Sequence, residues 1–194
     1  MISNGMLDKA KQNALRNITV LAKYSEKGIP IIFSEPSCFS ALKDDYFDIV
    51  PESSKLKDLS NNIYLLEEFL FEKIDGLEKI VTSDKSSKVF IHGHCHQRSL
   101  NHFESSLDLL KRFGFEVENS DAGCCGMAGS FGYEKDHYEI SKQIGEDILF
   151  PKIRELSNEN QVCVTGVSCL EQIKHFTHTR PIHIAELLSK KISE

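Results

Sequence analysis

Lys88-Val89-Phe90-Ile91-His92-Gly93-His94-Cys95-His96 reads as a strand that runs straight into a loop of metal-ligating side chains. Val89, Phe90 and Ile91 form a short apolar run, the pattern of a parallel strand covered on both faces. The layout recurs three times. Residues 29–33 lead into Ser34-Glu35-Pro36-Ser37-Cys38, residues 115–118 into the double cysteine Cys124-Cys125, and residues 161–165 into Gly166-Val167-Ser168-Cys169. Apolar positions at helical spacing separate these strands. Ala10, Ala14, Leu15, Ile18, Leu21 and Ala22 predict a helix over 7–27, stopped by Gly28. Further helices are expected over 39–46, over 61–75 with Ile63, Leu66, Phe69 and Leu70 on one face, over 100–113, over 133–156 with a break at Pro151, after Cys169 to about 176, and over 184–190. Residues 82–87 read as a polar connector.

Strands alternating with helices predict a three-layer α/β fold with a mainly parallel sheet and helices on both faces. In such sheets the loops beyond the carboxyl ends of the strands form the ligand crevice. Four cysteine-bearing loops are therefore expected to converge on one edge.

The run Asp121-Ala122-Gly123-Cys124-Cys125-Gly126-Met127-Ala128-Gly129-Ser130-Phe131-Gly132 narrows the chemistry. Adjacent cysteines rarely pair with each other, because a disulfide needs a particular Cα separation and Cβ direction. They suit a site that needs two soft thiolates, and flanking glycines let backbone amides approach the sulfur. In an extended chain His94 and His96 would share a face and Cys95 would point away from both. Cys95 is thus the first candidate ligand and His94 the next, with His92 and His96 supporting them. Cys169 and Cys38 each fall at the start of a helix, which favours a thiolate. Cys163, inside an apolar strand, reads as a small buried hydrophobe. Met127 and Phe131 read as walls of the site, and Arg98 as a solvated residue near a helix start.

Composition excludes several classes. The chain has 194 residues, 40% hydrophobic and 27% charged, enough for one substantial α/β domain. A formal net charge of −6 with interspersed signs argues against a nucleic-acid surface. No apolar run reaches membrane-spanning length, and residues 1–5 lack the order of a signal peptide. Six cysteines without such a signal read as metal or redox residues, in a cytoplasmic protein that docks at most on the inner face of a membrane.

The order Cys95, then Cys124-Cys125-Gly126, then Gly166-Val167-Ser168-Cys169 resembles the cysteine-rich CCG domain of heterodisulfide reductase. It is similar also to the iron–sulfur subunits of glycolate oxidase and anaerobic glycerol-3-phosphate dehydrogenase. His92-Gly93-His94-Cys95-His96-Gln97 and the run from Gly123 to Glu134 look most like the C-terminal part of FAD-linked D-lactate and D-2-hydroxyglutarate dehydrogenases with fused iron–sulfur domains. The resemblance implies the end of a first CCG repeat over 1–60, a connecting helix and linker over 61–82, and a complete second repeat over 83–194. It implies a metal or 4Fe-4S iron–sulfur site held by Cys95, Cys124, Cys125 and Cys169, with His94 as a further donor and Cys38 in the neighbouring half-site.

Gly166 and Glu35 stand where the family's fuller pattern has cysteines. Zinc on three cysteines and a histidine is therefore an alternative, and so is a structural or docking domain with an empty thiolate site. The chain starts just after the place where a first repeat would carry its own double cysteine, and it holds no FAD-binding or ferredoxin motif. The resemblance implies an electron-transfer module that serves flavin and ferredoxin-like domains of a parent enzyme, passes electrons to an acceptor such as a quinone, and does not oxidise a hydroxy acid alone.

Overall fold

The computed structural model describes residues 1–51, 53–77 and 87–192. The expected start of the second repeat at residue 83, and the connector up to residue 86, lie outside the described residues. The chain divides into two compact units, Met1–Leu66 and Glu67–Glu194.

In the first unit, helix α1 (Leu7–Ser25) buries Ala10, Ala14, Ile18 and Ala22, a stripe at spacing four. Leu15, counted on the apolar face from the sequence, is exposed. Strand β1 (Ile31–Phe33) follows, then α2 (Pro36–Ser40), a π turn over Ala41–Asp45, α3 (Tyr46–Ile49) and α4 (Ser54–Ser60). Proline opens α2, where its missing N–H costs nothing. Leu56 and Leu59 of α4 are buried where that helix packs on α1.

Strand β2 (Ile63–Leu65) pairs with β1 in parallel, Ile31 opposite Ile63 and Phe33 opposite Leu65. Two expectations are corrected here. Residues 63–65 are strand rather than helix: Ile63 and Leu65 are buried with Tyr64 between them, a period of two too short to outweigh the helical spacing of Ile63, Leu66 and Leu70. The two strands also form a sheet of their own, and Ile32 is left exposed.

In the second unit, α5 (Leu66–Lys73), which starts at the boundary, precedes β3 (Lys88–His92), α6 (Cys95–Ser99), α7 (Glu104–Arg112) and β4 (Glu116–Asn119). Then come α8 (Tyr138–Asp147), α9 (Leu149–Glu155), β5 (Asn160–Val164), α10 (Val167–Thr177), β6 (Ile182–His183) and α11 (Ile184–Ser189). All four strands are parallel, in the order β4-β3-β5-β6.

Alternation along the strands divides the core into two layers. Val89, Ile91 and Cys163 face Leu109 and Leu110 of α7 and Leu187 and Leu188 of α11. Phe90, Val162 and Val164 face Leu149, Phe150 and Ile153 of α9 and Ile173 of α10. The expected three-layer α/β architecture is present, with Cys163 as the buried hydrophobe that its position implied.

Two helices differ from expectation. The helix predicted over 100–113 is α7 alone, and a separate turn of helix, α6, begins at Cys95 itself. The helix predicted over 133–156 starts at Tyr138 and breaks at Ile148, where φ is −136°. Pro151 lies in the first turn of α9, and its ring would meet the carbonyl four residues earlier, so the break precedes it.

Strand order positions the site. From β3 the chain moves outward to β4 on one side, then returns to β5 and β6 on the other. The loops after β3, β4 and β5 therefore leave the sheet at its point of reversal, where open α/β sheets carry their crevice.

Candidate functional site

Three cysteine loops meet at this edge. Side-chain hydrogen bonds join Cys95 to Cys124, Cys124 to Cys125, and Cys125 to Cys169, an unbroken chain of four sulfur atoms. Cys125 and Cys169 are buried, and Cys95 and Cys124 half-buried. All six cysteines are free thiols.

The four sulfurs share their protons unequally. Hydrogen bonds from Cys125 and Cys95, with the Gly126 amide, hold Cys124 as a thiolate, with its pKa lowered to about 2. A hydrogen bond from Cys125, with the nearby His92 imidazole, holds Cys169 well below the usual thiol range against its burial. Cys95 and Cys125 are pushed up, chiefly by hydrogen bonding to Cys124 and, for Cys125, by its one S–H proton being shared between Cys124 and Cys169.

Each loop is pinned from below. In the double-cysteine loop the Gly126 N–H points at Cys124 Sγ at 3.3 Å, and the Gly126 carbonyl accepts from Ser141 Oγ at 2.8 Å. Gln172 Nε2 of α10 donates to Ser141 Oγ in turn, also at 2.8 Å. Gly126 has φ of +96°, and a Cβ there would collide with the Ser141 carbonyl oxygen, so only glycine fits. Lys152 Nζ donates to the Ser120 carbonyl at 2.9 Å at the start of the loop. Met127 is buried beside Cys125, as its expected role as a wall requires. Phe131 instead stacks on His137 at a centroid distance of 4.2 Å.

The histidines are arranged by α6. His94 is its N-cap: Nδ1 accepts from the His96 N–H at 3.2 Å, and Nε2 lies 3.1 Å from Ser168 Oγ. Its own N–H donates to Thr165 Oγ1 at 2.9 Å, joining the ends of β3 and β5. Because Cys95 opens a helix, the extended-chain geometry expected for His94, Cys95 and His96 does not apply. His96 is exposed and its ring meets that of His94 edge-on. His92, fully buried, lies with Nδ1 3.0 Å from Ser120 Oγ, while its Nε2 makes no hydrogen bond of good geometry. The His92 imidazole is the one that stabilises the Cys169 thiolate most among the three histidines of the motif.

Arg98, expected to be solvated, instead donates to the carbonyls of Ala122 and Gly123, at 3.2 Å in the second case. It ties α6 to the double-cysteine loop. Sequence reasoning also missed Ser120, Ser141, Thr165 and Gln172, which carry no motif, and the role of Ser168 within its motif; all five gain their roles only from the fold. His183 caps α11, its Nδ1 accepting from the Ala185 N–H at 3.2 Å.

Cys38 lies in the other unit, in α2, and is exposed. The single sheet edge expected for four cysteine loops is therefore made by three. A cavity of about 320 Å³ opens beside Cys124, walled by Ala122, Ile140, Ile144 and Ile148.

The donor chemistry fits a thiophilic centre: soft sulfurs are gathered with the buried His92 imidazole beside them. As they stand, the sulfurs are closed on one another by hydrogen bonds, and among the described residues no three His, Cys, Asp or Glu side chains converge as a ready-made ion site. Metal binding here would displace the protons that Cys95 and Cys125 retain.

A parallel sheet with thiols from three loops at its point of reversal defines a cysteine-rich α/β domain. Its relatives are dehydrogenases, and the chain matches their C-terminal part. It is 31% identical over 195 residues to a subunit of the anaerobic glycerol-3-phosphate dehydrogenase of Escherichia coli K12, covering all of this chain and 48% of that one. It is 26% identical over 175 residues to the D-2-hydroxyglutarate dehydrogenase of Pantoea ananatis, covering 88% of this chain and 16% of that enzyme. The corresponding Escherichia coli K12 enzyme is 26% identical over 186 residues, with 95% and 18% covered. The chain thus spans about half the length of one relative and less than a fifth of the others. No family model matches it. Among the described residues no helix is long and apolar enough to cross a membrane.

Proposed function

We propose that the chain is the cysteine-rich electron-transfer module of a larger dehydrogenase, and that Cys95, Cys124, Cys125 and Cys169 hold an iron–sulfur cluster of the 4Fe-4S class. The observation that carries this reading is the contact chain of four sulfurs drawn from three loops. A core need not bring four thiols together, whereas cluster ligation requires it. When bound, such a cluster takes up and gives back single electrons. The chain's own residues present sulfur, exclude water from Cys125 and Cys169, and direct the Gly126 N–H at Cys124, a bond of the kind that tunes cluster potential. His92 is the better placed imidazole to support the ligands, since both ring nitrogens of His94 already have partners. Cys38 belongs to a separate half-site in the first unit.

In this reading residues 1–60 close a first repeat and residues 83–194 form a second. The matching Ser-Cys ends of the β1 and β5 loops support that division. Electrons would come from oxidation of a substrate such as glycerol 3-phosphate or D-2-hydroxyglutarate, the compounds in the relatives' names, through flavin and ferredoxin-like parts of the enzyme. They would leave to an acceptor such as a quinone. Six free thiols suit a reducing, cytoplasmic compartment.

The test is anaerobic reconstitution with iron and sulfide, then analysis of iron, acid-labile sulfide and zinc. Brown protein that bleaches reversibly with dithionite is expected. Stoichiometric zinc without sulfide, or a colourless chain that folds but takes up no iron, would overturn the proposal.

A further inference from the structure

Helix α6 is the hub of the site. Its cap His94 holds the Cys169 loop through Ser168 and Thr165, and its Arg98 holds the Cys124 loop. A third tie runs away from the sulfurs. Gln97, fully buried, donates from Nε2 to Glu67 Oε1 at 2.8 Å, and also contacts Ser106 Oγ at 2.8 Å and the His102 carbonyl at 3.1 Å. Ser106 Oγ, also fully buried, lies 3.2 Å from the same Glu67 oxygen. Glu67 itself is 2% exposed at the start of α5. The next residue, Glu68, pairs with His102 Nδ1 at 2.8 Å. Two acids in succession thus grip the corner between α6 and α7.

A buried carboxylate is costly to fold unless hydrogen bonds compensate it, and an apolar residue would fill the same space without that cost. Its presence calls for a reason. Gln97 lies two residues beyond Cys95 in the same turn of helix, so whatever fixes the Gln97 amide fixes the direction of Cys95.

We propose that Glu67 is a positioning residue for Cys95: by holding Gln97 and Ser106 it sets α6 so that the Cys95 sulfur meets Cys124. The proposal rests on the reading of Cys95 as a site residue, but not on the metal. Glu67→Leu removes the carboxylate oxygen that Gln97 Nε2 and Ser106 Oγ both reach, and leaves Gln97 held only by Ser106 and the His102 carbonyl. Glu67→Gln keeps an acceptor oxygen of the same reach. The double variant Glu67→Leu/Gln97→Leu removes both partners, so neither half of that pair is left unmet, and it keeps the test open if the single variant does not fold.

The experiment is timed alkylation of the metal-free full chain with iodoacetamide, resolved cysteine by cysteine by mass spectrometry, beside thermal unfolding. In the double variant Cys95 is expected to react about tenfold faster than in the native chain while Cys163 stays protected, with Glu67→Gln within about twofold of native. Native-like Cys95 reactivity in a folded double variant would overturn the proposal, as would an equal rise at Cys95 and Cys163, which reports general loosening. An iron-free but otherwise native-like wild type would overturn the proposed function instead and leave this result standing.

Discussion

Cys38 and Cys169 occupy the same local position. Each follows a short parallel strand, each is the third residue of its helix, and each is preceded by serine. Their thiols nonetheless behave in opposite ways. Cys169 is held well below the usual range, while burial first and the Glu35 carboxylate second push Cys38 up. The helix terminus is common to both, so it does not decide the outcome. Neighbours do: Cys169 receives a hydrogen bond from Cys125 and faces His92, and Cys38 faces a carboxylate. Strand order supplies those neighbours, because the second unit reverses its order at β3 and the two-stranded sheet of the first unit has no reversal to gather loops.

The backbone offers the strongest way to break this comparison. Gly126→Ala in the second unit forces a Cβ into the Ser141 carbonyl at positive φ, and should destabilise the chain by about 3 kcal/mol in urea unfolding. Gly28→Ala, at φ +73° with open space around it, should cost about 1 kcal/mol. Equal costs would mean that the double-cysteine loop is not held as tightly as its bonds to Ser141 and Gln172 imply.

Thiol titration gives the next contrast. In the metal-free chain Cys124 is already ionised at mildly acid pH, so its alkylation rate should stay flat from about pH 5 to pH 8. The raised pKa of Cys38 makes its rate climb by about tenfold per pH unit over the same span. Parallel profiles would remove the difference between the two units.

Glu67 gives a smaller effect with a definite sign. Burial raises its pKa above the usual 4.5, so the stability it contributes is fully present below that value and is lost as pH rises through the folded one. Glutamine cannot ionise, so the stability of Glu67→Gln relative to the native chain should grow from pH 4.5 to neutrality. A difference that does not change with pH would contradict this. Smallest of all is Arg98→Ala: Arg98 is exposed, and losing its bonds to Ala122 and Gly123 should cost about 1 kcal/mol.

The layered fold was legible because the apolar run Val89-Phe90-Ile91 and its counterpart Val162-Cys163-Val164 fix parallel strands buried on both faces. Strand β2 was not, since three residues of period two are lost inside a longer helical spacing. The cysteine loops of the second unit were legible as strand ends followed by thiols. The orientation of the histidines was not, because α6 starts at Cys95 and turns His94 into a cap. Glu67 left no trace in any motif; its partner Gln97 stands next to the histidine cluster, but a polar residue there reads as solvated until the fold buries it.

The most direct test compares two single substitutions under anaerobic reconstitution, with iron and sulfide measured per chain. Cys38→Ser should retain the iron and sulfide of the native second-unit site, and Cys125→Ser should lose them, because Cys125 touches both Cys124 and Cys169. Retention by Cys125→Ser, or equal loss in both variants, would contradict the claim that the three loops at the reversal of the sheet form the site.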